Sequence, residues 1–373
     1  MNISRKPDTL RLSKPLIIPV FIMNSGCPEA CIYCNQKITA GNFPAVLTRD
    51  LFNAEIESYL HWNRDGIRSV EIAFYGGSFT GLKRDYQKKL LDWAGSYIQS
   101  GQVESLRIST RPDLLDEDSI VFLKQRGVRT VEIGAQSFND DVLRAVGRSH
   151  TASDTKDALL RLQKHGFTTG VHLMAGLPQD DREGFLRSLE QTILLRPDLA
   201  RIHPLIVFND TPLAGLYQQG RYTPLELDEA VEYCVLAWER LAPQGISIIR
   251  FGLQTTPEMN RPGAYLAGPL HPALGSLVYG RLYWIYTRGL LESMIPLGPK
   301  VRFELSDAAA AHFRGHKNAN LSALKTLYPG VDFTIDALSD RPRGRLTAVT
   351  VEGLTRSVTI PGIHPTSRSA QLV

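Results

Sequence analysis

The sequence has no long hydrophobic run. No stretch reaches the roughly 18 consecutive apolar residues that a membrane-spanning helix needs, so we expect no membrane partner. The first residues, Met1–Lys14, lack the apolar core of a secretory signal, so we expect no export. Together these absences favour a protein of the reducing cytoplasm.

Cysteine is scarce, with four residues in 373, which is too few for a disulfide framework. Three of the four, Cys27, Cys31 and Cys34, lie within eight residues. Thiolate is a soft ligand that favours iron–sulfur clusters, zinc or cuprous ions. A structural zinc site usually has two ligand pairs, and no second CxxC pair occurs here. We therefore favour an iron–sulfur cluster with one open iron, and zinc is the alternative.

The fourth cysteine lies far from this loop. Cys234 falls about 200 residues later, within a helical pattern. A buried cysteine in a helix is the ordinary interpretation, because free cysteine packs as a small apolar residue. A radical-relay or resolving thiol is the alternative.

A strong charge imbalance is also absent. The net charge is +4, and residues 300–373 carry ten basic and six acidic side chains. The whole excess therefore lies in that last fifth, and residues 1–299 sum to zero. A local basic excess indicates a polyanionic partner such as RNA, with a solvated basic surface as the alternative.

After the cysteine loop, short apolar segments alternate with amphipathic ones. Strands separated by helices predict right-handed βαβ units and a parallel sheet. About six such units follow a first strand, which predicts an α/β fold with a partial (β/α) barrel. The predicted strands are Leu16–Met23, 69–75, 105–110, 128–133, 169–174, 199–207 and 246–250.

The unusual motifs all follow predicted strands. In parallel barrels, function lies at the carboxyl ends of the strands, so the sequence places these motifs at one end of the barrel. They are the cysteine loop, Tyr75-Gly-Gly-Ser-Phe-Thr80, Ser109-Thr-Arg-Pro112, Gly134-Ala-Gln-Ser137 and Met174-Ala-Gly-Leu-Pro178.

The C-x-x-x-C-x-aromatic-C spacing resembles the cluster loop of radical S-adenosylmethionine (SAM) enzymes. This resemblance implies a 4Fe–4S cluster whose open iron binds SAM, an electron donor such as flavodoxin or ferredoxin, and cleavage of SAM to a 5′-deoxyadenosyl radical. A finer resemblance, from about residue 15 to 256, is to the catalytic subunit of Elongator, which modifies wobble uridines of tRNA. It is carried by Ser109-Thr-Arg-Pro-Asp113, Val131–Ser137, Gly147-Arg-Ser-His-Thr151, His172–Pro178, His203-Pro-Leu-Ile-Val207 and Gly220-Arg-Tyr222.

The resemblance also implies roles for single residues. Gly76, Gly77 and Ser78 match the turn that holds the SAM amino group, and Tyr33 matches the aromatic residue beside the adenine. Oxygen-independent coproporphyrinogen III oxidases share a Gln and, twelve residues later, an Arg that contact the SAM ribose and carboxylate. Gln136 and Arg148 have this spacing. His172 could bond a ribose hydroxyl or be a packed barrel histidine.

Two families suggest different substrates. Coproporphyrinogen oxidases carry Glu where Ser109 stands and Asp where His172 stands, whereas Elongator has His at the second position. RNA modification, with tRNA as partner, is therefore the first hypothesis, and a small-molecule or porphyrin-pathway enzyme is the alternative. After residue 256 nothing resembles Elongator's acetyltransferase domain, so acetyl transfer is not expected.

We expect three domains: a radical SAM barrel at 1–256, a connector packing on the barrel at 257–299, and a small basic α+β module at 300–373. The order of the module's elements, βααβ, resembles a KH domain, whose GxxG loop clamps a nucleic-acid backbone. The corresponding loop residues are Arg314, Gly315, His316 and Lys317. Asn318 stands in place of the second Gly, and Asn tolerates left-handed backbone angles.

Overall fold

Seven strands form one parallel sheet in the order β1-β2-β3-β4-β5-β6-β8. The computed structural model describes residues 15–22, 26–27, 31–39, 47–63 and 69–363. Met1–Lys14 therefore lies outside the described residues. The strands of this sheet are β1 Leu16–Phe21, β2 Val70–Tyr75, β3 Ser105–Thr110, β4 Val128–Gln136, β5 Thr168–Ala175, β6 Leu199–Pro204 and β8 Ser247–Phe251.

Helices separate the strands and cover the sheet. These helices are α1 Gln36–Thr39, α2 Arg49–Leu60, α3 Arg84–Gln99, α4 Glu117–Gln125, α5 Asp140–Ala145, α6 Ala152–Lys164, α7 Arg182–Leu195, α8 Pro212–Gln218 and α9 Leu227–Leu241. Two short strands, β7 Val207–Phe208 and β9 Tyr265–Ala267, pair antiparallel in a separate small sheet. The curled sheet with its helices confirms the predicted partial (β/α) barrel.

Local sequence explains where the helices begin. Asp116 and Asp181 accept the backbone N–H of the third residue beyond each of them, at the starts of α4 and α7. Thr151 and Asp154 form a reciprocal capping box at the start of α6. Such caps satisfy amide groups that the first turn of a helix leaves without partners. The sheet then buries a continuous apolar core that includes Ile18 and Ile72.

The chain divides into two compact units. The first runs through Tyr233 and also takes in Ile246–Pro272, and the second comprises Cys234–Gly245 and the chain from Ala273 onward. The second unit has a four-stranded sheet of order β11-β10-β12-β13, in which β10 pairs parallel with β11 and antiparallel with β12. Its elements are α10 Leu274–Glu292, β10 Lys300–Ser306, α11 Ala310–Arg314, α12 Ala319–Leu327, β11 Asp332–Leu338, β12 Arg345–Thr350 and β13 Thr355–Thr359.

The predicted βααβ order is therefore present as β10-α11-α12-β11. Helix α10 was not predicted, because its glycines and aromatic residues resemble a connector. Gly280 sits where α10 meets the end of α11, and a Cβ there would lie 3.6 Å from the His312 carbonyl oxygen. Tyr283 and Leu291 of α10 are buried with Phe303 in the core of the second unit. Packing, rather than intrinsic propensity, stabilises this helix.

None of the helices in the described part of the chain is both long and apolar enough to cross a membrane.

The capping box of α6 provides a test of the first unit. Replacing Thr151 by Ala removes the hydroxyl that accepts the Asp154 amide, and we expect a loss of about 1 kcal/mol in the free energy of unfolding. Thr151→Ser keeps the hydroxyl and is the matched control. Urea unfolding followed by tryptophan fluorescence measures both variants. Equal midpoints for the two variants would contradict the capping assignment.

Candidate cofactor site at the carboxyl ends of the strands

The first cysteine is held against the turn that follows β2. Gly26 has a φ of 78°, and a Cβ at this position would lie 2.0 Å from the Ser78 carbonyl oxygen. A Cβ on Gly81 would lie 1.9 Å from the Gly26 carbonyl oxygen. Only glycine permits this approach of two backbones. It brings Cys27 Sγ to 3.6 Å from Ser78 Oγ.

The other two cysteines form a turn beside α5. The Cys34 amide donates to the Cys31 carbonyl at 3.0 Å, and the Ile32 amide donates to the Val146 carbonyl at 3.1 Å. Cys27 and Cys34 are exposed, and Cys31 is half-buried. Among the residues that the structure describes, no three His, Cys, Asp or Glu side chains are grouped closely enough to hold a metal ion. The loop residues 28–30, between the first two cysteines, lie outside the description.

Arg148 connects the cysteine turn to the end of β4. Its guanidinium is buried and donates to the Gly134 carbonyl at 2.6 Å, while Nη1 lies 3.4 Å from Cys31 Sγ. Its Nε donates to His150 Nδ1 at 3.1 Å, and His150 Nε2 lies 3.1 Å from the Ala135 carbonyl. Burial, and then the charge of Arg148, lower the pKa of His150 to about 4. The imidazole is therefore neutral at pH 7, with Nε2 as the donor and Nδ1 as the acceptor.

Tyr33 carries a polar atom that lacks a partner. Its hydroxyl is buried, and no described residue forms a hydrogen bond with it. Burial, followed by the charge of Cys31, raises the pKa of Tyr33 well above its usual range, so the phenol stays neutral. A buried hydroxyl without a partner costs free energy, which a bound polar molecule would recover. Cys31, Arg148 and this hydroxyl lie side by side and suit a polar ligand, whereas the described residues do not bring the three thiols together into a metal site.

The strand ends add backbone conformations that few residues adopt. Gly76, directly after β2, has a φ of 96°, which glycine alone adopts without strain. Gln136, the last residue of β4, has a φ of 67°. A Cβ on Gly134 would lie 2.9 Å from Gln136 Nε2. Strain of this kind at a strand end is typical of ligand sites, and here it turns the Gln136 amide back along β4 toward Gly134.

Beneath these residues, one carboxylate gathers side chains from four neighbouring strands. Glu132 of β4 is fully buried and accepts from His172 at 2.6 Å, Arg201 at 2.5 Å, Arg107 at 2.9 Å and Tyr75 at 3.0 Å. Burial opposes ionisation, but Arg201, His172 and Arg107 hold the pKa of Glu132 well below its usual range. The carboxylate is therefore charged at neutral pH.

Of the side chains in this charged group, His172 alone was predicted as a site residue. The structure places its Nε2 on Glu132 and its ring 5.7 Å from that of His203. Burial lowers the pKa of His172, so the imidazole is neutral and donates through Nε2. The missed signal was the presence of Arg107, Glu132 and Arg201 inside otherwise apolar strands.

The predicted nucleic-acid loop belongs to the second unit. Gly315, Lys317 and Asn318 have φ values of 74°, 51° and 63°. Asn318 thus adopts the left-handed conformation expected where a GxxG loop has its second glycine. Asn320 donates to the Phe313 carbonyl at 3.0 Å and braces the turn, while His316 and Lys317 are exposed.

Family comparisons agree with this geometry. The Radical SAM superfamily model matches residues 21–192, and the Radical_SAM C-terminal domain model matches residues 197–283. The chain belongs to the radical SAM superfamily. Enzymes of this superfamily use a 4Fe–4S cluster and SAM, and these are the cofactors of the chain.

Relatives and a solved structure refine the comparison. The chain is 26% identical over 269 residues to a tRNA uridine(34) acetyltransferase of Methanocaldococcus jannaschii, covering 62% of this chain and 50% of the relative. It is also 26% identical over 216 residues to the heme chaperone HemW of Bacillus subtilis, covering 56% of this chain and 55% of the relative. The structure of Methanocaldococcus infernus Elp3 with an N-terminal deletion superposes with a TM-score of 0.57 at 21% identity, over 75% of this chain and 64% of that chain.

These matches confirm the predicted resemblance to radical SAM enzymes and to the Elongator family. The chain spans about half the length of the curated relatives it matches.

Glu132 provides a test of the charged group. Glu132→Gln removes the carboxylate charge that Arg107 and Arg201 share, and we expect a loss of about 3 kcal/mol or more in the free energy of unfolding. Glu104→Gln breaks an exposed pair with Arg129 and is the control, with an expected loss below about 1 kcal/mol. Urea denaturation at pH 7 measures both.

The same variant has a pH signature. The pKa of Glu132 is depressed in the folded state, so its stabilisation is complete above the unfolded value of about 4.3 and is lost as the pH falls through the lower folded value. Stability of the wild type should fall more steeply on acidification than that of Glu132→Gln. Parallel pH profiles for the two proteins would contradict an ionised Glu132.

Proposed function

We propose that Cys27, Cys31 and Cys34 hold the cluster and that the enzyme modifies RNA, with tRNA as the substrate class. When bound there, the cluster and SAM would provide radical chemistry based on 5′-deoxyadenosyl for hydrogen abstraction from the substrate. The observation that carries the site assignment is the placement of Arg148 between Cys31 and the Gly134 carbonyl, beside the unpartnered Tyr33 hydroxyl.

Arg148 suits the carboxylate of SAM. A guanidinium stays charged and can bond a carboxylate with two parallel N–H groups. His150 accepts from Nε and fixes the plane of the guanidinium. Because both residues are buried, the charge acts in a weakly screened environment and attracts an anion strongly.

The remaining contacts are assigned by position. Gly76 and Gly77 expose backbone at the end of β2 for the amino group of SAM, with the buried Ser78 beside Cys27. Gln136 is assigned to the ribose and Tyr33 to the adenine edge. His172 is committed to Glu132 through Nε2, so only its other nitrogen is left for a ribose hydroxyl.

Two observations support RNA as the substrate. Curated relatives at 26–28% identity are named tRNA uridine(34) acetyltransferases. The basic turn at Arg314–Lys317, in which His316 and Lys317 are exposed and which Asn318 follows in a left-handed conformation, resembles a loop that contacts a phosphate backbone. A tetrapyrrole enzyme is the second candidate, because HemW and the coproporphyrinogen oxidase-like HemZ of Bacillus subtilis match at 26% and 24% identity. In either case an electron donor of the flavodoxin or ferredoxin type, in a reducing cytoplasm, would supply the electron.

Loss of one thiol tests the cluster assignment. We expect Cys31→Ala to lose the visible absorption of the reconstituted cluster and all formation of 5′-deoxyadenosine, because three thiolates are the minimum set. Cys234→Ala is the matched control, since Cys234 is buried in the second unit and should leave both measurements unchanged. A Cys31→Ala protein that still cleaves SAM would refute the assignment.

Salt dependence and charge reversal test the RNA assignment. We expect binding of bulk tRNA to weaken steeply with salt, and Lys317→Glu to weaken it further and to reduce the slope. Lys325→Glu reverses another exposed charge of the same unit, on α12, and is the control. Filter binding between low and moderate salt measures all three proteins. If tRNA binding depends neither on salt nor on Lys317, and the protein binds a tetrapyrrole tightly, the second candidate is favoured.

A further inference from the structure

The sheet carries one guanidinium that its carboxylates do not neutralise. Arg107 pairs with Glu71 and Glu132, and Arg201 pairs with Glu132. Arg250 of β8 is half-buried, and no carboxylate among the described residues lies within ion-pair distance of it. Three arginines therefore share two glutamates.

Pairing of the strands places this third arginine beside the charged group. Strands β6 and β8 are parallel, with Arg201 opposite Arg250 and Ile202 opposite Phe251. Arg250 is the last residue but one of β8, and His203 is the last residue but one of β6. Both residues thus lie near the carboxyl ends of their strands, at the end of the sheet where the cysteine loop follows β1.

His203 contributes a second unsatisfied group. Its Nδ1 is buried and has no hydrogen-bond partner among the described residues. Burial, then the charges of His172, Arg201 and Arg250, lower the pKa of His203 far below its usual range, so the ring is neutral. A neutral imidazole can donate from Nδ1 when its proton is on that nitrogen.

The local electrostatics favour an anion. Burial, followed by the charge of Arg201, lowers the pKa of Arg250, which means that the surroundings disfavour its positive charge. A bound anion would relieve this repulsion and satisfy the guanidinium. A permanently charged oxyanion with several acceptor oxygens can accept from Arg250 and from His203 together.

We infer that Arg250 and His203 form a subsite for a phosphate group of the substrate. The inference rests on the proposed RNA function, because the anion that every RNA nucleotide offers is its phosphate. The subsite would fix the nucleotide relative to the strand ends where the cofactors bind. A carboxylate of a small-molecule substrate has related chemistry, and the experiment must separate the two sources.

The test uses the holoenzyme with SAM bound, and uridine 3′-monophosphate and uridine as probes. We expect wild type to bind the nucleotide roughly tenfold or more tightly than the nucleoside, the range of charged hydrogen bonds. Arg250→Gln should abolish this preference, and Arg250→Lys should keep part of it, because lysine keeps the charge without the planar fork. Arg129→Gln, at an exposed pair on β4, is the control and should behave as wild type.

Stability gives a second readout that does not depend on any ligand. Because Arg250 lies beside Arg201 without a carboxylate of its own, Arg250→Gln should unfold at the same or a higher temperature than wild type. A clear drop in the midpoint would show that Arg250 is a paired structural residue and would overturn the inference.

The outcomes separate the subsite from the proposed function. Wild type that binds nucleotide and nucleoside equally, while tRNA still raises 5′-deoxyadenosine release, overturns the subsite alone. A phosphate preference that depends on Arg250, without any response to tRNA, supports the subsite and refutes RNA as the substrate. Coproporphyrinogen binding that requires Arg250, with no nucleotide binding, overturns the phosphate assignment in favour of a carboxylate.

Discussion

The buried carboxylate of Glu132 is the constraint on which the first unit depends. Removing a carboxylate from water is costly, and the cost is offset only when its oxygens are fully hydrogen-bonded. Here the partners come from β2, β3, β5 and β6, so the carboxylate of β4 fixes four other strands at one level. A Cβ on Gly170 would lie 3.0 Å from Glu132 Cγ, which shows how closely β5 is packed against it.

Strand β4 connects this carboxylate to the candidate cofactor site. Glu132 lies two and three residues before the carbonyls of Gly134 and Ala135, which accept from Arg148 and His150. Holding Glu132 therefore holds the backbone that positions Arg148 beside Cys31. Strand β4 ends at Gln136, whose φ is strained, only four residues after the fixed Glu132. Such strain is tolerated where the surrounding structure determines the backbone conformation.

Sequence patterns predicted the parts that local chemistry determines. The alternation of apolar and amphipathic segments gave the parallel sheet, and the cysteine spacing gave the resemblance to radical SAM enzymes. The left-handed turn at Asn318 also followed from the residue type. Helix α10 was missed, because its order comes from Tyr283 and Leu291 packing in the second unit. The charged group was missed too, since the side chains of Arg107, Glu132 and Arg201 meet only once the register of the strands is known.

The distribution of charge in space cannot be read from the number of charged residues along the sequence. Residues 1–299 sum to zero, so the sequence placed the basic excess wholly in the last fifth of the chain. Within the sheet, however, the strand register places Arg250 beside Arg201. The acidic residues that cancel the charge of Arg250 in the sum lie elsewhere in the first 299 residues. A neutral total can therefore contain a local positive site, because electrostatic energy depends on separation and burial rather than on the sum. An uncompensated cation lowers stability, and its presence at the strand ends is understandable if an anionic substrate neutralises it during function.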